Sequence, residues 1–162
     1  MAYQLVALDM DGTLLDGAKR VLPSSTEAIG EALAAGRHVA ICSGRCPAMV
    51  EVSRDELAGI RYAICGSGTS LFETASLEFS PAEANKGTGM LALAELLGVP
   101  REATIAVGDA DNDLPMLRDA GLGVAMGNAN ERVRAAADVV VADNDHGGVA
   151  EAIRAYLLGS GR

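Results

Sequence analysis

The sequence predicts an α/β fold: a mostly parallel sheet with helices on both faces. Three observations carry that prediction. Short β-rich runs alternate with helical patterns along the chain. The run "QLVALD" reads as a central strand. Asp9, Ser43 and Asp109 each follow such a run, and open α/β sheets bind ligands outside the carboxyl ends of their strands.

Taken in order, "QLVALD" is the first strand, and "GTLLDGAKRVLP" carries turn residues suited to a small hairpin. Ser24 and Glu27 form an S-x-x-E capping box for a helix reaching about Ala35, with Gly36 as its stop. "HVAIC" is the second strand, and Pro47 suits the first turn of a helix running to about Leu57. "RYAIC" is the third strand; the irregular stretch after it allows a hairpin of "SLFET" with "SLEF". A helix spans Lys86 to Leu97, ended by Gly98 and Pro100. "TIAVGD" is a strand, Leu114 to Asp119 a short helix, and "LGVAM" a strand. "NERVRAAA" is a helix, "DVVVA" a strand and "GVAEAIRAYLL" the closing helix.

The 162 residues fit one domain, and 49% hydrophobic with 22% charged residues describes a globular chain. No apolar run approaches the ~20 residues that span a bilayer. The N-terminus lacks the pattern of a secretory signal, so the expected location is cytoplasmic. A net charge of −9 argues against nucleic acid or an anionic membrane as partner. Three cysteines do not read as a disulfide framework, and two histidines without a CxxC argue against zinc. A Cys-x5-Arg phosphatase loop from Cys42 fails, because Ala48 holds the arginine position.

Asp9 and Asp11 stand one residue apart at the end of an apolar strand, which is costly unless a positive charge lies near. Phosphate monoester hydrolysis supplies a reason. The ester is anionic and repels an anionic nucleophile, and Mg2+ removes that barrier by binding carboxylate and phosphoryl oxygens together. Asp9 and Asp109 can supply carboxylates from adjacent strand ends. Asp9 can then attack phosphorus to give an aspartyl-phosphate. Asp11 is placed for general acid/base work, and nearby carboxylates would raise its pKa. Ser43, the N–H of Gly44, and Lys86 are suited to hold phosphoryl oxygens.

The stretches "DMDGT", "ICSGR", "NKG" and "GDADND" resemble, in order, the four motifs of the haloacid dehalogenase superfamily of phosphatases. The tail "LPML", "GLGVAMGNAN", "ADVVVADNDHGGVAEAI" is similar to the Cof-type sugar-phosphatase branch and its archaeal phosphoglycolate-phosphatase relatives. The resemblance implies a Rossmann-like core with Asp9 as nucleophile and magnesium ligand. It implies Asp11 as general acid/base, lending the metal its backbone carbonyl, and Asp109 as the third protein ligand. Ser43, Gly44 and Lys86 would bind substrate, Asn112 would sit near the phosphate, and Asp113 would act through water or Lys86. Arg45 would touch either substrate or a surface ion-pair partner, and "GTLLDGAKRV" would be a small mobile flap.

One departure from the family pattern is large. Residues 66–85 stand where Cof-type enzymes insert a cap domain, room for a loop or hairpin only. The chain is expected to be a single capless core over residues 1–162, either naturally minimal or engineered. Small phosphomonoesters, sugar phosphates included, would be hydrolysed with low specificity; the alternative is a scaffold with little activity. A second copy could cover the open site, with Leu71 and Phe72 as an apolar edge or as core residues. Three other readings fail. A receiver domain needs its phosphorylated aspartate after the third strand, where "AICG" stands. A calcium loop needs Gly and Glu where Leu114 and Ala120 lie. A dinucleotide fingerprint needs a third glycine where Leu71 lies.

Overall fold

In the computed structural model of the protein, residues 2–46, 59–73 and 84–159 are described. Seven strands form one sheet: β1 (Leu5–Leu8), β2 (His38–Cys42), β3 (Tyr62–Cys65), β4 (Ser70–Glu73), β5 (Thr104–Gly108), β6 (Leu122–Ala125) and β7 (Val139–Val140). Their order is β4-β3-β2-β1-β5-β6-β7. All neighbours are parallel except β3 and β4, which are antiparallel with Ile64 opposite Leu71. Five α-helices accompany them among the described residues: α1 (Pro23–Ala34), α2 (Lys86–Leu96), α3 (Leu114–Asp119), α4 (Glu131–Ala136) and α5 (Gly148–Ala152).

Every residue of β1 is buried, as a parallel strand covered on both faces requires. Alternation divides its side chains between two cores. Val6 and Leu8 join Val39, Ile41, Ile105 and Val107 beneath Ala28, Ile29 and Ala32 of α1 and Val149 and Ala152 of α5. Leu5 and Ala7 join Ala40, Ile64 and Ala106 beneath Met90 and Leu93 of α2 and Leu117 of α3. The chain leaves β1 toward β2 on one side and returns to it from the other with β5, so strand order reverses around β1. The register Leu8↔Ile41 and Leu8↔Val107 brings the carboxyl ends of these three strands together. That is the crevice where such sheets hold ligands.

Several local expectations change. The capping box at Ser24 and Glu27 does not form: α1 starts earlier, with Leu22 at the N-cap, Pro23 in the first turn and no side-chain cap. Proline's fixed φ and missing N–H suit that position, so Ser24 falls inside the helix. Gly36 does end α1 at φ 72°, with the Arg37 N–H bonded to the Ala32 carbonyl. "SLFE" is a strand, antiparallel to β3; its expected hairpin partner "SLEF" and the helix expected from Pro47 lie outside the described residues. Of the two readings of Leu71, the structure takes the core one, on the α2 side, while the side chain of Phe72 is outside the described residues. β7 is two residues long rather than five, with one neighbour and Val140 half exposed. The closing helix widens after Ala152 into a π-type turn, Ile153–Leu157, with the Leu158 N–H on the Ile153 carbonyl.

Candidate active site

Asp9 follows β1 directly, and its N–H donates to the Val107 carbonyl of β5 at 3.0 Å. Asp109 follows β5. Adjacent parallel strands therefore bring their two carboxylates to one place. Oxygens from Asp9, Asp109 and Asp113 all lie within 4.8 Å of one another.

Lys86 closes this cluster from below. Asn85 caps α2, its side chain accepting from the N–H groups of Gly87 (2.9 Å) and Thr88 (3.0 Å), while the Thr88 hydroxyl accepts from the Asn85 N–H. This cap sets the direction in which the first residue of the helix, Lys86, enters. Its side chain is wholly buried, and its Nζ donates to Asp9 Oδ1 at 2.6 Å and Asp113 Oδ1 at 2.5 Å. The second Asp113 oxygen accepts from the N–H groups of Asp109 and Ala110, each at 3.0 Å. Asp113 thus accepts three hydrogen bonds from the protein and braces Lys86 and the Asp109 loop.

The titration of these groups follows from burial. Desolvation pushes the Asp9 carboxyl up to about 7, with repulsion from Asp113 adding and Lys86 opposing. Burial also raises Asp109, with Thr13 opposing. Burial pulls Lys86 down, but Asp9 and Asp113 outweigh it, so the ammonium is held more firmly than an ordinary lysine's.

Asp11 departs from its expectation. Its carboxylate is ion-paired rather than raised by neighbouring acids. Arg45 grips both oxygens, Nε to Oδ2 at 2.8 Å and Nη2 to Oδ1 at 2.7 Å, and Lys19 Nζ reaches Oδ1 at 2.8 Å. The Arg45 hydrogen bond, with Lys19 assisting, holds the carboxyl down at about 2. Arg45 is therefore an ion-pair partner of the general acid/base candidate.

Ser43 ends β2 buried, its N–H on the Ile64 carbonyl and its Oγ accepting from the Arg45 N–H at 3.2 Å. A side chain on Gly44 would meet Ser67 Oγ and Asn112 Nδ2, which places these two polar groups opposite the Gly44 backbone. Asn112 is exposed there.

Four contributors were not recognised from sequence. The buried Thr13 hydroxyl donates to Asp109 Oδ1 at 2.8 Å and orients it; its place in "DGT" was the available signal. Gly12 has φ 82°, and a Cβ there would run into the Asp109 carboxylate, so only glycine lets this backbone approach so near. Lys19 and Ser67 both adopt positive φ, at 62° and 54°, and neither has a sequence signature. The region around Gly12–Lys19 is also well fastened. Asn128 Nδ2 donates to the Gly12 carbonyl (2.8 Å), Asn144 Nδ2 to the Leu15 carbonyl (2.9 Å), and the Gly17 N–H to Asp145 Oδ1 (2.7 Å).

The donor set is all hard oxygen. Together with the backbone approach at Gly12, it fits a small divalent cation such as Mg2+ better than a thiophilic metal.

Comparison with known proteins gives the chain's family and fold. The model of the haloacid dehalogenase-like hydrolases matches residues 6–75 and 69–153. Phosphatase YwpJ of Bacillus subtilis is 46% identical over 82 residues, 51% of this chain and 29% of YwpJ. A phosphoglycolate phosphatase of Methanopyrus kandleri is 47% identical over 73 residues, 45% of this chain and 32% of that protein. The matched stretches thus span about a third of these relatives. A haloacid dehalogenase-like hydrolase from B. subtilis shares the fold at TM-score 0.86 and 20% identity, covering 93% of this chain and 99% of that one. No described helix is long and apolar enough to cross a membrane. With the family model matching residues 6–75 and 69–153, the chain belongs to the haloacid dehalogenase-like hydrolases.

Proposed function

We propose that the chain is a magnesium-dependent phosphate monoester hydrolase working through an aspartyl-phosphate on Asp9. Its substrates would be small phosphorylated compounds, sugar phosphates among them. The observation that carries this is the buried Lys86 joining Asp9 to Asp113 beside Asp109, a concentration of buried charge of the kind that clusters at functional sites.

In this reading the carboxylates of Asp9 and Asp109 and the backbone carbonyl of Asp11 would hold the ion. Bound Mg2+ supplies charge neutralisation for the incoming dianion and polarises a phosphoryl oxygen. Lys86 keeps Asp9 oriented and balances part of the buried negative charge. Ser43, the Gly44 N–H and Asn112 hold phosphoryl oxygens. An Asp9 oxygen bonds to phosphorus as the ester P–O bond breaks, and the leaving oxygen takes a proton from Asp11. Asp11 then removes a proton from water, whose oxygen displaces Asp9 from phosphorus. To carry that proton Asp11 must first escape part of the hold of Arg45 and Lys19, since paired to both it stays ionised.

Residues 66–85 would take the place of a cap, which leaves the leaving-group side open and specificity low. A second copy over the site, and a cytoplasmic setting, belong to the same proposal. A weakly active core is the second reading, favoured by the short 66–85 stretch and by the paired state of Asp11. Hydrolysis of p-nitrophenyl phosphate with and without Mg2+, by the parent and by Asp9→Asn, tests the proposal. Turnover that needs Mg2+ and vanishes in Asp9→Asn supports it. Turnover indifferent to both would overturn it, and none in the parent favours the second reading.

A further inference from the structure

Two loops at the carboxyl end of the sheet converge on the segment that follows Asp11. The loop after β6 carries Asn128, and the loop after β7 carries Asn144 and Asp145. They are joined to each other: the Gly127 N–H donates to the Ala142 carbonyl at 3.2 Å, and the Asn144 N–H to Asn128 Oδ1 at 3.2 Å. The Asn128 amide therefore works in both directions. Its oxygen accepts from Asn144, and its nitrogen donates to the Gly12 carbonyl at 2.8 Å. Only one orientation of the amide satisfies both partners. Asn144 passes the link on to the Leu15 carbonyl, and Asp145 Oδ1 takes the Gly17 N–H.

Gly12 is a sensitive place to hold. Its carbonyl belongs to the peptide that leads into Thr13, whose hydroxyl holds Asp109. Its N–H belongs to the peptide whose carbonyl is that of Asp11. Its Cα lies so near Asp109 that no side chain would fit between them. Rotation of either peptide would disturb Asp109 or the Asp11 carbonyl. Asn128 is exposed and outside both apolar cores, so its two hydrogen bonds are not needed to bury anything.

We propose that Asn128 is a positioning residue for the Asp11–Thr13 backbone, and that Asn144 and Asp145 complete a clasp fixing residues 12–20 against the core. The part concerning the metal rests on the function proposed above. The clasp itself does not. By this account the segment beside the site is a fastened loop, and the accuracy of the metal-binding peptide is set more than a hundred residues downstream.

The test uses the full chain with Asn128→Ala, Asn128→Asp and, as a distant control, Arg154→Ala, which removes only exposed pairs with Glu27 and Glu31 on α1. Two quantities are read without substrate: Mg2+ affinity by calorimetry with Mg2+ alone, and amide exchange at Gly17 and Lys19. Asn128→Ala should weaken Mg2+ about 10–100-fold, the range for partners that orient metal ligands, and should speed exchange at Gly17. Asn128→Asp keeps the acceptor for Asn144 but loses the donor to Gly12. It should weaken Mg2+ comparably while leaving Gly17 closer to the parent. Arg154→Ala should change neither. Asn128 variants with parental Mg2+ affinity and parental exchange would overturn the proposal. A parent that binds no Mg2+ defeats the functional reading instead, and the exchange data then decide the clasp alone.

Discussion

Lys86 Nζ sits 2.6 Å from Asp9 Oδ1 and 2.5 Å from Asp113 Oδ1, with no exposure to solvent. One cation thus serves two buried carboxylates contributed by the ends of β1 and the turn after β5. The cluster carries an excess of negative charge once Asp109 is counted, and that imbalance is what a divalent cation would correct.

Removing the lysine's charge should be costly. Lys86→Met leaves Asp9 and Asp113 facing each other uncompensated, and breaking a buried pair costs about 3–5 kcal/mol. Urea unfolding should show a loss of that order near neutral pH. The loss should shrink in acid, where Asp9 is protonated and the repulsion disappears.

Asp9 and Asp11 should impose opposite pH dependences on the metal-free protein. Asp9 is raised from 3.8 to about 7, so the folded state binds its proton more tightly than the unfolded chain does. It therefore favours folding in acid, and that contribution is lost as pH rises from 3.8 through about 7. Asp11 is lowered from 3.8 to about 2, so its contribution is present above 3.8 and is lost as pH falls through about 2. Mg2+ needs the ionised Asp9, so the rise in Tm on adding Mg2+ should grow with pH up to about 7 and then level off. A Tm increment independent of pH would contradict this.

Gly12→Ala tests the close approach to Asp109. The substitution imposes a left-handed conformation on a residue with a Cβ and drives that Cβ into the carboxylate. It should destabilise the fold by about 1–3 kcal/mol and depress Mg2+ binding through displacement of Asp109. Urea unfolding and calorimetric titration of Mg2+ would measure the two effects separately.

Arg45→Gln should free Asp11. With the bidentate partner gone and only the exposed Lys19 left, the carboxyl should move up from about 2 toward its ordinary 3.8. An NMR titration of the Asp11 carboxyl carbon reads this directly. An Asp11 that still titrates near 2 would show that Arg45 is not what holds it.

Much of this protein could be read in the sequence because its signals are local. Each strand end that carries chemistry was marked by an apolar run stopping at a polar residue: Asp9, Ser43 and Asp109. The periodicity that marked the runs also determines that they pair as buried strands. Element order, the parallel sheet and the meeting of Asp9 with Asp109 follow from that pattern, whereas the place of Asp113 beside them and of the Asp11 carboxylate away from them does not. The tertiary structure decided the pairings that connect distant segments. Asp11 meets Arg45 across 34 residues, Thr13 meets Asp109 across 96, and Asn128 meets Gly12 across 116. It also decided the charge state of Asp11, which its acidic neighbours in sequence pointed the wrong way. A carboxylate's pKa depends on whichever charge lies nearest in space, and sheet order, not sequence spacing, brought a guanidinium there first.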